Sequence, residues 1–430
     1  MLDSHAETPA ADPSSSGANA INSDPLLSGL KVLDLTQVIA GPFCTTMLAN
    51  LGAEVVKLEP PGRGDEMRNI GRYEGREDHE DYFNANNNSK KSIELNLKNP
   101  LHQQVAYELA KCTDVVVENF APGTADKLGM GWKDLHPLNS RLIYCSISGF
   151  GQTGPYRNRL GIDSVIQGIS GVMSVTGFPD GVPTIIGAPL SDVVSGMYAA
   201  YTILGALHRG KRDGQGCYID ISMQASMLAV LGPRMGETLQ VGVSPERIGN
   251  ENPMRVPSDT YQTKDGRFLN ITVVNERHWA PFCRALKREE WIDDSRFATM
   301  RLRAQNRKEL GPLVAARFAE ETIEELLPRL EEARLPFAPV NDYAQAADDQ
   351  QIAHREMIHN LSHPVSGHVR VVGPPWLMTG KQVELKPPPL LGQHTEEILG
   401  SWLGWNTEEI NRFRIQSAEK PGGSDGKIRA

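Results

Sequence analysis

What this sequence lacks narrows its function before any motif is considered. Basic charge is not in excess: 44 Lys and Arg face 53 Asp and Glu, a formal net charge of −9. That balance argues against general nucleic-acid binding, which needs a basic surface to displace counterions from phosphates. An anionic ligand must therefore meet a local basic cluster. The five cysteines, Cys44, Cys112, Cys145, Cys217 and Cys283, are odd in number, far apart and without a Cys-x-x-Cys pair. A reducing cytoplasm is the setting they suggest. His-Glu-x-x-His is absent and the eleven histidines show no ligand spacing, so no metal site is expected. No apolar run approaches a membrane span, and the start, with no arginine before Arg63, resembles neither a signal peptide nor a mitochondrial presequence. The expectation is a cytoplasmic protein with no membrane or nucleic-acid partner.

Familiar phosphate and nucleophile motifs are also missing. Gly205 to Arg212 approaches a P-loop, but Arg212 stands where a Ser or Thr must reach magnesium, and a helix precedes it where a strand should. Gly-x-Ser-x-Gly occurs only as Gly422 to Gly426, in a polar stretch with no strand or helix to strain it. The turn Gln37-Val38-Ile39-Ala40-Gly41-Pro42 lacks Gly-x-Gly-x-x-Gly. A dinucleotide is therefore the weaker reading, although Glu59 stands where an acid could hold a ribose hydroxyl.

What is present is a pattern of alternating strands and helices. At 430 residues and 40% hydrophobic content, the chain is long enough for two domains. Leu30 to Leu35 alternates as a strand, Phe43 to Leu51 reads as a helix with Pro42 in its first turn, and Ala53 to Leu58 reads as a second strand. Leu101 to Lys111 is helical, Asp114 to Glu118 and Arg141 to Ser146 are strands, and Ser191 to His208 is a helix rich in small residues. A turn from Gly210 to Gly216 and a strand from Cys217 to Met223 follow. Such a succession predicts an α/β fold with a Rossmann-like, mostly parallel sheet, and ligands beyond the carboxyl ends of its strands.

Later the character shifts. Lys264-Asp265-Gly266-Arg267 marks a hairpin between two apolar segments, and charge-rich helices run on to Ala333. The expected organisation is a disordered tail over 1–26, a large Rossmann-like domain over 27–225 and a linker over 226–248. A smaller α+β domain over 249–340, a return to the large domain over 341–415 and a second disordered tail over 416–430 complete it.

Two groups of residues carry candidate chemistry. Lys57, Arg63, Arg68, Arg72, Lys90 and Lys91 gather around the second strand, suited to a phosphate-bearing ligand, although each alone reads as a solvated charge. Asp192 sits among small residues at the start of a helix. By itself it reads as a helix N-cap.

The strings Leu33 to Pro42, Leu51 to Glu59, Lys90 to Leu95, Val117 to Gly123, Gly149 to Tyr156 and Leu390 to Thr395 together resemble the class III coenzyme A transferases, over about Leu27 to Leu403. That superfamily includes formyl-CoA, carnitine-CoA and succinyl-CoA:dicarboxylate transferases. The resemblance implies an interlocked homodimer, no tightly bound cofactor, and a coenzyme A thioester as substrate. It implies Asp192 as a nucleophile that forms an acyl-enzyme, with Val38, Ala40, Lys90, Lys91, Asn119 and Lys127 lining the coenzyme A site. Gly41 and the Gln152 to Tyr156 turn are the places to look for oxyanion donors. Pro60 stands where some relatives carry an arginine, and Asn252 where relatives often carry histidine. The closeness of the match favours a dicarboxylate acceptor with succinyl-CoA as donor. An α-methylacyl-CoA racemase is the alternative on the same fold, but it needs a base on each face of a carbon, and the sequence has Gly161-Ile162-Asp163 where its histidine belongs. Asp163 then reads as a structural hydrogen-bonding acid. A relative that binds coenzyme A without turnover is the third possibility.

Overall fold

The computed structural model describes residues 24–70, 80–252, 254–379 and 383–418. Most of both expected tails, Arg72 and Pro253 lie outside the described residues. Six strands, β1 (Lys31–Asp34), β2 (Glu54–Glu59), β3 (Lys91–Glu94), β4 (Val115–Glu118), β5 (Ile143–Ser148) and β6 (Cys217–Ser222), form one sheet in the order β3-β2-β1-β4-β5-β6. Every pairing in it is parallel. A parallel sheet is covered on both faces, and accordingly every residue of β4 and β5 is buried.

Alternation along each strand divides the core in two. Val32, Val55, Val115, Val117 and Cys145 face the helices Ala40–Asn50 and Leu190–Asp213. Leu33, Val56, Val116 and Tyr144 face the helix Pro100–Lys111 together with Ile398, Leu399, Trp402, Ile410 and Phe413. The last five belong to Thr395–Leu403 and Thr407–Ala418, so the far end of the chain seals the sheet that the beginning builds. Between these halves, β7 (Ser258–Gln262), β8 (Phe268–Thr272) and β9 (Phe337–Pro339) make an antiparallel sheet, and helices pack on it around Phe282, Leu310, Phe318 and Leu326.

Several expectations are corrected. Residues 226–248, expected as a linker, are mostly helical: Met223–Val230 starts with the Ser222 hydroxyl accepting the Ala225 N–H, and Gly232–Val241 follows. The helix Thr407–Ala418 enters the expected tail, because the Ser417 hydroxyl meets His102 Nε2 at 2.9 Å. The long helix Leu190–Asp213 runs through the expected turn at Gly210 and stops at Gly214, whose φ of 68° an L-residue avoids. Lys211 and Arg212 in its last turn suit the negative end of the helix dipole. By length and composition this helix is apolar enough to cross a membrane, contrary to the expectation that no run reaches that length. It packs against Ala40–Asn50, β5 and β6. The approach is close at Gly196, where a Cβ would lie 2.6 Å from the Ala40 carbonyl oxygen. Asp192, one turn earlier, therefore shares the helix face that meets the start of Ala40–Asn50.

Candidate active site

Strand order reverses between β1 and β4, and the crevice beyond their carboxyl ends is where such sheets hold ligands. The loops leaving the two strands are stitched together by one side chain. Asn119 Oδ1 accepts the Gln37 N–H at 2.8 Å, and its amide donates to the Gln37 carbonyl at 2.7 Å. Buried Glu118 accepts the Phe120 N–H at 2.8 Å and a hydrogen bond from Ser146, fixing the rest of the second loop. Burial pushes its carboxyl up to about 7. A cleft of about 230 Å³ opens between the loops, with Val38, Ala40, Asn119, Arg159, Asp163 and Asp192 among its walls.

Its two acids differ in every physical respect. Asp163 accepts the Ser191 N–H and the Ser191 hydroxyl, both at 2.8 Å, and the Gln167 amide at 2.8 Å. It therefore serves the first turn of the Leu190–Asp213 helix from outside, as a structural acid. Asp192 lies inside that turn; the N-cap is Pro189, which has no side-chain cap bond, so the capping role does not fall to Asp192. Among the described residues, Asp192 has no hydrogen-bond or ion-pair partner. Burial, and then the nearby charge of Asp163, pushes its carboxyl up to about 7. A carboxylate half-buried and unpartnered at that value is poised to react near neutrality.

Val38 is held in an unusual way. Its φ is 71°, a left-handed conformation costly for a β-branched residue. Asp65 Oδ1 accepts the Val38 N–H at 3.1 Å, and the Lys57 ammonium lies 2.9 Å from Asp65 Oδ2 while donating to the Thr36 carbonyl at 2.6 Å. Burial opposes the charge on Lys57, but Asp34, Asp65 and Glu59 together raise its pKa. The loop thus rests on enclosed ion pairs.

Lys90 belongs to the same enclosed network. Its ammonium donates to Asp34 at 3.1 Å, the Pro42 carbonyl at 3.0 Å and Asn87 at 2.8 Å, with no exposed side-chain surface. Lys91 pairs with Glu54 at 2.5 Å and Glu397 at 2.8 Å beside a separate cavity of about 430 Å³ at the sheet edge. Lys127 is exposed, on the short helix Thr124–Lys127. Val38, Ala40, Asn119 and Asp192 are therefore brought together, while Lys90, Lys91 and Lys127 are not among the residues of that cleft. Of the expected donor sites, the Gln152 N–H is taken by Asp220 at 2.9 Å, and Gln152 and Thr153 line a different cavity. The start of Ala40–Asn50 has no side-chain cap; Pro42 has no N–H and the Phe43 N–H bonds the Ile39 carbonyl at 2.8 Å, which leaves the Ala40 and Gly41 N–H groups at the helix start, with Ala40 lining the cleft. Asn252 Oδ1 accepts the Met254 and Arg255 N–H groups, a turn-holding role. No histidine lines the cleft among the described residues, and Ile162 faces it where a racemase base would be required.

One feature of the site is only half legible in the sequence, where Arg63 stands in the basic group and Lys98 does not. A second cleft of about 340 Å³ begins at Phe120, which both clefts share, and continues past Leu35, Leu58, Leu95 and Pro60 to Arg63 and Lys98. Both cations are exposed and have no ion-pair partner among the described residues. A spacing signal for Lys98 exists only in hindsight, since it follows the strand by four residues.

Taken together, the fold and site define an α/β protein of the doubly wound type. Its candidate site sets an unpartnered carboxylate beside a helix start, next to a trough with an apolar floor and a basic far rim. The chain belongs to CoA-transferase family III, whose model matches residues 27–395. It is 38% identical over 389 residues to the succinyl-CoA:glutarate CoA-transferase of Mus musculus, covering 90% of this chain and 88% of that one. It is 36% identical to the succinyl-CoA–D-citramalate CoA-transferase of Chloroflexus aurantiacus, covering 89% and 96%. A crystal structure of a CaiB/BaiF family protein from Brucella suis superposes with a TM-score of 0.80 at 34% identity, over 88% of this chain and all of that one.

Proposed function

We propose that this protein transfers coenzyme A from an acyl-CoA, with succinyl-CoA as the favoured donor, to a carboxylic acid through a covalent intermediate on Asp192. The observation that carries the reading is the unpartnered carboxylate of Asp192 at the strand-order reversal, beside an uncapped helix start. The Asp192 carboxylate attacks the thioester carbonyl, the C–S bond breaks, and the thiolate leaves behind a mixed anhydride. The thiolate then attacks the Asp192 carbonyl, expelling the donor acid and leaving coenzyme A on the enzyme as a thioester. An incoming carboxylate repeats the two steps in reverse and takes the coenzyme A away, which restores Asp192.

The Ala40 and Gly41 N–H groups at the start of Ala40–Asn50 are suited to the oxyanions formed at each step, since a helix start concentrates partial positive charge. The thiol arm would run past Val38 and Ala40, and the nucleotide end would lie along the second cleft toward Arg63 and Lys98. The outward side of the long helix carries Met197 and Tyr201, the latter 75% exposed, and the helix Gly232–Val241 exposes Leu239 and Val241 as well. Such an apolar surface, with the family resemblance, supports a homodimer as the working form. Mixing the protein with succinyl-CoA, trapping with hydroxylamine or borohydride and mapping peptides by mass spectrometry tests the reaction. A modified Asp192 peptide that vanishes in Asp192→Ala is expected. Unmodified protein with several acyl donors would refute the covalent route.

A further inference from the structure

Arg159 lines the cleft of Asp192 but has no part in the covalent steps. Arg159 is the only basic residue among the described residues that line the cleft of Asp192. Its place there is built from several constraints. The loop that carries it folds back on the end of β5 through a pinch of two glycines: a Cβ on Gly149 would lie 2.8 Å from the Gly161 Cα, and one on Gly161 would lie 2.9 Å from the Gly149 Cα. Neither position has room for a side chain. The Arg159 N–H closes a turn onto the Tyr156 carbonyl at 2.9 Å. Its guanidinium lies over the Tyr156 ring, 4.4 Å from the centroid, and that ring packs edge-on against Phe150.

The guanidinium makes no hydrogen bond or ion pair with a described residue, although two carboxylates share its cleft. Asp163 spends its oxygens on Ser191 and Gln167. Asp192 has no partner among the described residues. A ring face holds an arginine weakly and leaves its planar N–H edge open, and that edge matches a carboxylate in a two-point contact. Leu160 and Ile162, both largely exposed in the chain alone, line the same cleft and offer apolar surface for a short methylene chain.

We propose that Arg159 binds the distal carboxylate of a dicarboxylic acyl group, so that the cleft selects acids carrying a second carboxylate. This rests on the transferase reading and adds the residue that sets its substrate class. One carboxylate of the acid reacts at Asp192 and the other pairs with Arg159. A monocarboxylic acid of equal length leaves the guanidinium unmatched.

The test compares glutarate with pentanoate as acceptors, five carbons each, at saturating succinyl-CoA. Both acids attack the same enzyme form, so the ratio of their kcat/KM values cancels the donor half-reaction. The unmodified protein should prefer glutarate, and Arg159→Gln should cut that preference about 10- to 100-fold, the range for losing a charged hydrogen-bonding partner. Arg159→Lys, which keeps the charge without the fork, should fall between. An unchanged ratio in Arg159→Gln, with transfer intact, would overturn the role of Arg159 and leave the transferase reading standing. Absence of transfer to any acid by the unmodified protein would instead sink both. A second measurement needs no variant: glutarate, and not pentanoate, should slow modification of Arg159 by phenylglyoxal, and equal protection by both would refute the assignment.

Discussion

Replacing Asp192 by asparagine should make the protein more stable, by an amount that depends on pH. Asp192 moves from an ordinary value of 3.8 to about 7 in the folded chain. Between those values the unfolded chain has lost the proton while the folded chain keeps it, so stability falls as pH rises through the window. At about 1.4 kcal/mol per tenfold, the cost above pH 7 is on the order of 4 kcal/mol, and partial exposure brings it to roughly 2–3. A competing term exists, because an acid in the first turn of a helix gains about 0.3–1 kcal/mol from the dipole. Desolvation is the larger, so the sign is set. Denaturant midpoints of the protein and of Asp192→Asn should coincide near pH 4, diverge up to pH 7 and run parallel above it, with Tm separated there by about 2–4 °C. The same ionisation should give kcat/KM an acid limb near pH 7, since only the carboxylate attacks. Parallel stability curves throughout, or a variant less stable at pH 8, would show that Asp192 caps its helix and would refute the argument.

Further perturbations separate structure from binding. Lys90→Met should destabilise by about 3–5 kcal/mol, because it strands the enclosed Asp34 carboxylate, and thermal melts will show it. Arg63→Ala and Lys98→Ala should instead raise the KM for the acyl-CoA about 3- to 30-fold with melts unchanged, since neither cation has a partner to lose among the described residues. Asp163→Asn removes the neighbouring charge that helps raise Asp192, so the acid limb of the pH profile should move to lower pH. Gly196→Ala places a methyl 2.6 Å from the Ala40 carbonyl oxygen, and should cost about 1–3 kcal/mol and lower kcat by shifting Asp192 against the loop.

Sequence patterns captured the elements whose period matches their burial. β4 and β5 announce themselves as short apolar runs because both faces of a parallel strand are covered. β3 does not, since Lys91-Ser92-Ile93-Glu94 lies at the sheet edge and only Ser92 and Ile93 are buried. Lys90 illustrates a different limit. A sequence shows that a side chain is charged, and not that it points inward to three acceptors, so a lysine beside a phosphate-binding pattern reads as a ligand-binding group. Asp163 could be read correctly because an acid at the start of a helix has few roles. Arg159 could not, since an arginine in a polar loop carries no periodic signal, and only the pinch at Gly149 and Gly161 reveals which cleft it enters.

The two unusual features of the cleft complement each other. Asp192 is kept without a partner, which the fold must tolerate as a local cost, and Val38 is kept at a positive φ, which is another. Both residues line the same cleft. Beneath the loop lie Asp34, Lys57, Asp65 and Lys90, two acids and two bases with matched charge and fully enclosed. Such pairs add little net stability over apolar packing, but they are unforgiving of displacement, because moving one partner uncovers a buried charge. The network therefore resists relaxation of Val38 more than it strengthens the fold. Val38→Gly, which accepts the left-handed conformation freely, should therefore lessen the effect of Asp65→Asn on kcat. Equal effects of Asp65→Asn in both backgrounds would show that the ion pairs support the sheet and not the loop.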